Sequence, residues 1–399
     1  MSKIYLNGVS YLRIHMILGH DLLIPYEDSR VMKEAASLSD TGHDVTVLCW
    51  SKRIENASDR VDLDGFSVRR IFQDIPGRKS WIGSKLPVYL RLRRTMVDIS
   101  ARERPDIAYC HDLETLPIGK AISRKTGSKL VYDSHENWPL MESMNSRVWG
   151  TITGIIERRL LRHVDLVITV NDILREKFSY LDIPSVVVMN CAREDWASRR
   201  CDRDYPSGGV DMLRVAYWGG VAWRKGLKCL VEIAEILDKE NRPISFEVFG
   251  TGPDLDTIRE LISSKGLSQS VTLRGSLSHD ALSQELSDFD LCYALHLPTE
   301  AYLQSIPVKL LEGLALGMPF IGNTEFPLVA QIVREFDCGL LSKYSASEAA
   351  DTLSKLFDAP EILAKLRRNA REAFEKKYNW QSQAEKLVEA IEILRKKIS

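Results

Sequence analysis

The chain has 399 residues, 44% of them hydrophobic, with 54 basic and 55 acidic side chains and a net charge of -1. That length is too great for one ordinary core and fits two domains of similar size, while the balanced charge removes any general case for nucleic-acid binding, so any basic surface has to be local. Seven cysteines, scattered, odd in number and without a Cys-x-x-Cys pair, exclude a disulfide framework and a zinc site and point to reduced, buried thiols.

Arg13 to Leu18 reads as a first strand and Gly19 to Asp28 as a loop; Ser29 to Thr41 is a helix capped by Asp28 and stopped by Gly42. Asp44 to Trp50, Ile107 to His111, Lys129 to Asp133, Leu166 to Val170 and Val186 to Met189 are further strands. Short apolar runs of this kind, alternating with amphipathic helices, predict a parallel sheet covered on both faces. His111 and Asp112 close one of these strands, and Asp133, Ser134, His135 and Glu136 close the next. From Ala192 to Met212 the pattern lapses into charged, Pro- and Gly-containing text, read as an interdomain linker. A second strand series follows at Arg214 to Trp218, Ile244 to Phe249, Val271 to Arg274, Leu291 to Leu295 and Pro319 to Gly322. Glu361 to Lys397 reads as two consecutive helices with Trp380 near their junction.

Two stretches of the second half carry chemistry. In Tyr217 to Leu237, Gly219 and Gly220 let backbone approach a ligand, Arg224 and Lys225 add positive charge, and a helix beginning near Gly226 offers its amide end. Such a set suits a diphosphate leaving group, whose growing negative charge has to be neutralised as a bond breaks. In Tyr302 to Gly322, Ser305 and Pro307 signal a helix start, the helix runs from Val308 to Leu316, and Gly317 and Pro319 end it. Lys309 and Glu312, three residues apart, share one side, so a positive helix end sits beside a lysine and a carboxylate. That suits a phosphate and a sugar hydroxyl on one ligand; the alternative is a surface ion pair of little energetic consequence.

The Tyr302 to Gly322 stretch resembles the donor-binding segment of glycosyltransferase family 4, the retaining nucleotide-sugar transferases of GT-B fold. The family commonly has Glu, seven residues, Glu, and here Gln304 and Glu312 occupy the two positions; a subset has Pro, one residue, Lys, two residues, Glu, matched by Pro307, Lys309 and Glu312. The family's Gly-Arg followed by Lys-Gly is matched at Gly219, Lys225 and Gly226, with Gly220 in place of the arginine and Arg224 as the neighbouring cation. Gly250 to Asp254 resembles its Gly-x-Gly-Pro loop, and the text around His111 and around Asp133 to Glu136 is similar to its HD-x-x-x-LP and YD-x-HE segments.

The resemblance implies an α/β architecture of two Rossmann-like, doubly wound domains facing each other across a cleft. Residues 1–192 would be the acceptor-binding domain, 193–212 a linker, 213–377 the donor-binding domain, and 378–399 a helix crossing back onto the first. It implies His111, Lys225 and Glu312 as catalytic residues: Lys225 with Arg224 on the departing diphosphate, Glu312 on the ribose, His111 on the transferred sugar. Gly19, Gly219, Gly220, Arg224, Gly250, Gln304 and Lys309 would bind the donor, and His135 and Glu136 the acceptor. The activity expected is transfer of a sugar, hexosyl or N-acetylhexosaminyl, from a nucleotide-diphosphate donor to a hydroxyl of a glycan or lipid-linked acceptor in surface polysaccharide or glycoconjugate synthesis. Two alternatives stay open, a nucleotide-sugar epimerase of the same fold and a non-catalytic assembly partner.

No metal or other cofactor is expected. Asp62 with Asp64, Asp202 with Asp204 and Asp288 with Asp290 imitate an Asp-x-Asp metal motif but read as a hairpin, the linker and a helix-to-strand junction. The N-terminus lacks a long apolar core and no apolar run reaches spanning length, so a cytoplasmic protein is expected. Arg78 to Arg94 combines six basic residues with Trp81, Ile82, Leu86, Tyr89, Leu90 and Leu92, and Pro87 can start a helix there. This segment is either a covering helix with a solvated basic face or a peripheral contact with anionic lipid on the inner face of the plasma membrane.

Overall fold

The computed structural model describes residues 5–6, 9–23, 28–52, 58–63, 65–73, 81–199 and 211–398. The chain divides into two units, Met1–Met189 with Gln383–Ser399, and Asn190–Ser382.

A two-residue pair, Tyr5–Leu6 with Val9–Ser10, precedes the main sheet of unit 1. That sheet has eight strands: β1 (Arg13–Leu18), β2 (Asp44–Ser51), β3 (Arg60–Leu63), β4 (Phe66–Phe72), β5 (Ile107–His111), β6 (Lys129–Ser134), β7 (Leu166–Thr169) and β8 (Ser185–Val187). Their order is β8-β7-β6-β5-β1-β2-β4-β3, parallel throughout except for the antiparallel β3–β4 hairpin. Every residue of β5 and β7 is buried, as expected of strands covered on both faces. The helices are α1 (Ser29–Asp40), α2 (Trp81–Glu103), α3 (Leu116–Thr126), α4 (Trp138–Ser143), α5 (Arg147–Leu161) and α6 (Asp172–Glu176). Asp28 caps α1 as its sequence position predicts, accepting from the Val31 amide at 3.2 Å.

In unit 2, β9 (Leu213–Trp218), β10 (Ile244–Phe249), β11 (Val271–Gly275), β12 (Leu291–Ala294), β13 (Phe320–Asn323) and β14 (Gly339–Ser342) form a parallel sheet of order β11-β10-β9-β12-β13-β14. Its helices are α7 (Glu194–Ala197), α8 (Leu227–Lys239), α9 (Leu255–Ser264), α10 (His279–Leu286), α11 (Val308–Ala315), α12 (Pro327–Phe336), α13 (Ala346–Phe357) and α14 (Pro360–Lys376). The i, i+3, i+4, i+7 spacing of Leu227, Leu230, Val231 and Ala234 puts one side of α8 into the core over β9 and β10. The last helix, α15 (Trp380–Arg395), carries the chain back into unit 1 from Gln383. There Leu387, Ile391 and Leu394 are buried, Gln383 accepts from the Met189 amide at 3.1 Å, and Glu392 lies 3.4 Å from His43.

Three expectations need correction. The stretch read as linker includes α7, whose Trp196 is buried in unit 2 and whose neighbour Arg199 pairs with Asp280; residues 200–210, with Asp202 and Asp204, lie outside the described residues. Pro87 does not start α2 but lies inside it, and Arg78, Lys79 and the side chains of residues 81–85 lie outside the described ones. β14 was not expected at all; its half-buried leucines follow no clean alternation.

The six described cysteines form no disulfide with one another and are buried. Among the described residues, no helix is long and apolar enough to cross a membrane.

Candidate active site

In an open parallel sheet the ligand crevice opens at the carboxyl ends of the strands where strand order reverses. In unit 2 that point lies between β9 and β12, and the donor residues expected from the sequence cluster there. Gly219 and Gly220 leave β9 with open space where a side chain would stand, so this backbone is accessible. A Cβ on Gly250, after β10, would overlap the Gly219 carbonyl, and its φ of 144° suits glycine alone. Arg224 and Lys225 follow on a short turn, Trp223–Lys225, that ends at Gly226 with φ 83°. Here too glycine is required, because any Cβ would strike the Leu295 carbonyl beyond β12. The Tyr293 hydroxyl donates to the Gly226 carbonyl at 2.9 Å, locking the cationic turn to the end of β12.

Lys225 lies with its ammonium 5.1 Å from the centre of the Tyr302 ring. Lys309, in the first turn of α11, is buried with Nζ 3.5 Å from the centre of the Tyr217 ring and 3.4 Å from His296 Nε2. Burial, reinforced by Lys225, pushes the Lys309 amine well below the usual lysine range. Burial and then the two lysines do the same to His296. Three basic groups thus crowd one space, and an anion placed among them would reverse the opposition to charge on Lys309 and His296. α8 and α11 both begin there without a side-chain cap, leaving first-turn amide groups for an anion. Gln304 sits on the turn Tyr302–Gln304 just before α11. Ser305 does not cap α11 as expected; its hydroxyl donates to the Tyr302 carbonyl at 2.9 Å and closes that turn.

Glu312 lies one turn into α11. The Trp218 indole N–H donates to its Oε2 at 2.6 Å, and His279 Nε2 is 3.5 Å from its Oε1. The Trp196 indole donates to His279 Nδ1 at 2.9 Å, so the ring hydrogen of His279 sits on Nε2, toward the carboxylate. With Lys309 buried and Glu312 fixed by aromatic donors, the surface ion-pair reading does not hold.

Unit 1 reverses its strand order between β1 and β5. Gly19 leaves β1 so close to Glu114 that a Cβ would overlap the carboxylate. His111, the last residue of β5, is buried and stacked on Tyr109 at 4.8 Å. Its Nδ1 is 3.3 Å from Asp133 Oδ2 and 3.3 Å from His135 Nε2, while the buried Nε2 has no hydrogen-bond partner among the described residues. His135 Nε2 is 2.9 Å from Asp133 Oδ2 and Nδ1 is 3.3 Å from Asp112 Oδ2. Burial opposes the His135 charge, but Asp112 and Asp133 prevail and raise its pKa to about 10. Beneath it Arg30 grips Asp133 through two nitrogens at 3.0 and 2.8 Å, and also bonds Glu34 at 2.9 Å and the Val188 carbonyl at 2.8 Å. Glu136 is exposed beside this network.

Among the described residues, one group of metal-ligand type comes together, His111, Asp133 and His135. Arg30 bonds both Asp133 oxygens and His135 bonds one of them, so these groups also form an ion-pair network. The Asp-x-Asp candidates are engaged elsewhere. Asp62 accepts from Arg60 and Ser67, Asp290 accepts from the Arg214 amide, and Asp64 lies outside the described residues.

Sequence reading missed His296, Trp218, His279, Arg30 and Tyr109. His296 could have been noticed as a histidine just past a buried strand, as His111 was, and Tyr109 as sharing a strand face with His111; Trp218, His279 and Arg30 act through contacts far apart in the chain.

The chain is similar to known proteins in sequence and in fold. Residues 28–191 match the family described as Glycosyl transferase 4-like domain, and residues 211–373 match Glycosyl transferases group 1. The chain belongs to the group 1 glycosyltransferases, enzymes that take sugars from nucleotide-sugar donors. It is 24% identical over 279 residues to the alpha-D-kanosaminyltransferase of Streptomyces kanamyceticus, covering 67% of this chain and 71% of that one. Its fold matches the sucrose-phosphate synthase of Thermosynechococcus elongatus with TM-score 0.77 at 16% identity, over 96% of this chain and 99% of that one. It matches HepE of Anabaena in complex with UDP and glucose with TM-score 0.72 at 15% identity, over 96% and 100%. The architecture is therefore GT-B, two α/β units each built on a parallel sheet.

Proposed function

We propose that this enzyme moves a hexosyl or N-acetylhexosaminyl group from a nucleotide diphosphate to an acceptor hydroxyl with retention of configuration. The acceptor would be a glycan or a lipid-linked sugar in surface polysaccharide or glycoconjugate synthesis. The observation that carries this reading is the crowding of Lys225, Lys309 and His296 beside two uncapped helix ends. Lys225 and Arg224 neutralise the departing diphosphate, the backbone at Gly219, Gly220 and Gly250 lets it approach, and Lys309 and Gln304 fix the phosphate and sugar. Glu312, held by Trp218 and His279, accepts from a ribose hydroxyl. His111 orients the transferred sugar, the backbone at Gly19 borders the donor phosphates, and His135 with Glu136 receives the acceptor. No carboxylate in the described site stands out as a nucleophile, which favours same-face attack with the leaving phosphate assisting deprotonation of the acceptor.

The reading is tested by donor hydrolysis and thermal stabilisation across UDP-, GDP- and ADP-sugars, since a ligand that binds only the folded state raises Tm. One nucleotide class is expected to stabilise the protein and to be consumed on adding an acceptor. Conversion of the sugar nucleotide alone into an isomer would instead identify an epimerase.

Two further outcomes follow from the site. Activity should persist in EDTA, because lysine, arginine and helix amides do the neutralising; complete loss restored by manganese would refute metal independence. Glu312→Ala should weaken donor binding by roughly 1.5 to 3 kcal/mol, the usual contribution of a charged hydrogen bond, and lower Tm modestly without unfolding the protein, because the buried Trp218 indole loses its acceptor. Isothermal titration with the nucleoside diphosphate measures this, and an unchanged Kd would remove Glu312 from the donor site.

Peripheral attachment to an anionic bilayer on the inner face of the plasma membrane completes the proposal. On α2, Leu86 and Leu90 are 54% and 49% exposed, with Arg91 and Arg94 beside them.

A further inference from the structure

Helix α5 covers the sheet with only one of its sides. Gly150, Glu157, Leu160 and Leu161 face inward and are buried. On the outer side Val148, Ile152, Ile155 and Ile156 fall at i, i+4, i+7 and i+8 and make a continuous apolar row, with Trp149 three residues before Ile152 on the same side. Val148 is 68% exposed, Trp149 49% and Ile155 48%. Met144 just before the helix is also exposed, as is Tyr180, whose ring lies 5.5 Å from the Arg158 guanidinium. A folded protein seldom leaves such a row to water without a use for it.

The exposed charges on the helix itself and at its end are of one sign. Arg147, Arg158, Arg159 and Arg162 are exposed along the same helix and its end. The helix has a single carboxylate, Glu157, and it is buried against Lys177 and the Tyr132 hydroxyl. An apolar row flanked by arginines complements an interface of acyl chains and anionic headgroups. A second copy of the chain fits less well, because a symmetric contact would press the two arginine sets together. α2 and α5 lie on the same face of the sheet, each packed against α3 and sharing one core. The exposed leucines of α2 therefore belong to the same layer.

We propose that α5 lies in the headgroup region of an anionic bilayer, with Val148, Trp149, Ile152, Ile155 and Ile156 among the acyl chains and the arginines on lipid phosphates. This rests on the peripheral-membrane reading above and assigns its main anchor to α5 rather than to α2. It requires no covalent lipid.

The test is co-sedimentation with phosphatidylglycerol-containing vesicles and with pure phosphatidylcholine vesicles, at low and high salt. Wild type is expected to bind only the anionic vesicles and to be released by salt. The double variant Trp149→Ser, Ile156→Ser should bind roughly tenfold more weakly or worse, with unchanged Tm because both side chains are exposed. The triple variant Arg158→Gln, Arg159→Gln, Arg162→Gln should lose the preference for anionic lipid. Arg91→Gln with Arg94→Gln, on α2, should retain most of the binding. If the α5 variants bind as wild type while the α2 variant does not, α5 is wrong and the membrane reading stands on α2. If wild type binds neither vesicle, both fall. Concentration-dependent dimerisation abolished by the Trp149 and Ile156 changes, without vesicle binding, would make the face an interface between copies and overturn the proposal.

Discussion

Lys225→Ala is expected to lower kcat/KM by roughly 100- to 1000-fold, the usual consequence of removing one preorganised group from a developing charge, with little change in Tm. The turn that carries Lys225 is built from main-chain bonds: Lys225 N–H to the Ala222 carbonyl at 2.9 Å, Gly226 N–H to Trp223 at 3.0 Å and Leu297 N–H to Arg224 at 3.2 Å. With the Tyr293 hydroxyl on Gly226, these remain when the side chain is cut back, so the loss is chemical rather than structural. A second signature separates the two. Lys225 is one cause of the depressed basicity of Lys309 and His296, so its removal should let both hold a proton at higher pH and move the pH profile of the residual activity upward. Steady-state kinetics with a thermal melt decides the matter; a kcat/KM within about threefold of wild type would remove Lys225 from the reaction.

Arg30→Met is expected to destabilise unit 1 by roughly 3 to 5 kcal/mol, because it leaves Glu34 buried without its cation and Asp133 with the histidines alone. The same network sets a pH dependence whose sign can be worked out. His135 is raised in the folded state to about 10 from an ordinary 6.5, so its contribution is fully present below about pH 6.5 and is lost as pH rises through 10. Asp133 is depressed, chiefly by Arg30 against the cost of burial, so its contribution is present above the usual carboxylate range and is lost as acid protonates it. Stability should therefore decline on the alkaline side between about pH 7 and 10. His135→Asn should flatten that slope, and urea titrations of both proteins at intervals across this range measure it. A His135→Asn protein that keeps the wild-type slope would show that the charge on His135 contributes nothing.

The sequence was most legible where local rules act alone. The strand from Arg13 to Leu18, the Asp28 cap and the Gly226 helix start could be read from apolar runs and capping chemistry, and each is where it was expected. Ser305 shows how such a rule fails: its hydroxyl can accept from an amide of the coming helix or donate to a carbonyl of the preceding turn, and only the path of the chain decides between the two. Pro87 was taken as a boundary because proline cannot donate, yet the helix runs on both sides of it. Lys309 and Glu312 were found together, but their separate surroundings were not, since Tyr217 and Trp218 lie about ninety residues earlier and on the opposite faces that successive strand residues present. Arg30 could not be recognised from its own helix, where it reads as one more surface charge; its buried partner Asp133 is brought to it by strand order.

Unit 1 is discontinuous in the chain, and this orders events during synthesis. Residues 1–189 leave the ribosome first, but Leu387, Ile391 and Leu394, which α15 buries in that unit, are made only after all of unit 2. Until then Met189 lacks Gln383, His43 lacks Glu392, and the part of unit 1 against which Leu387, Ile391 and Leu394 are buried lacks that cover. The domain begun first is completed last, so its nascent form is the one that most needs shielding by chaperones, and a ribosome stalled within unit 2 would hold out an unfinished, adhesive first domain.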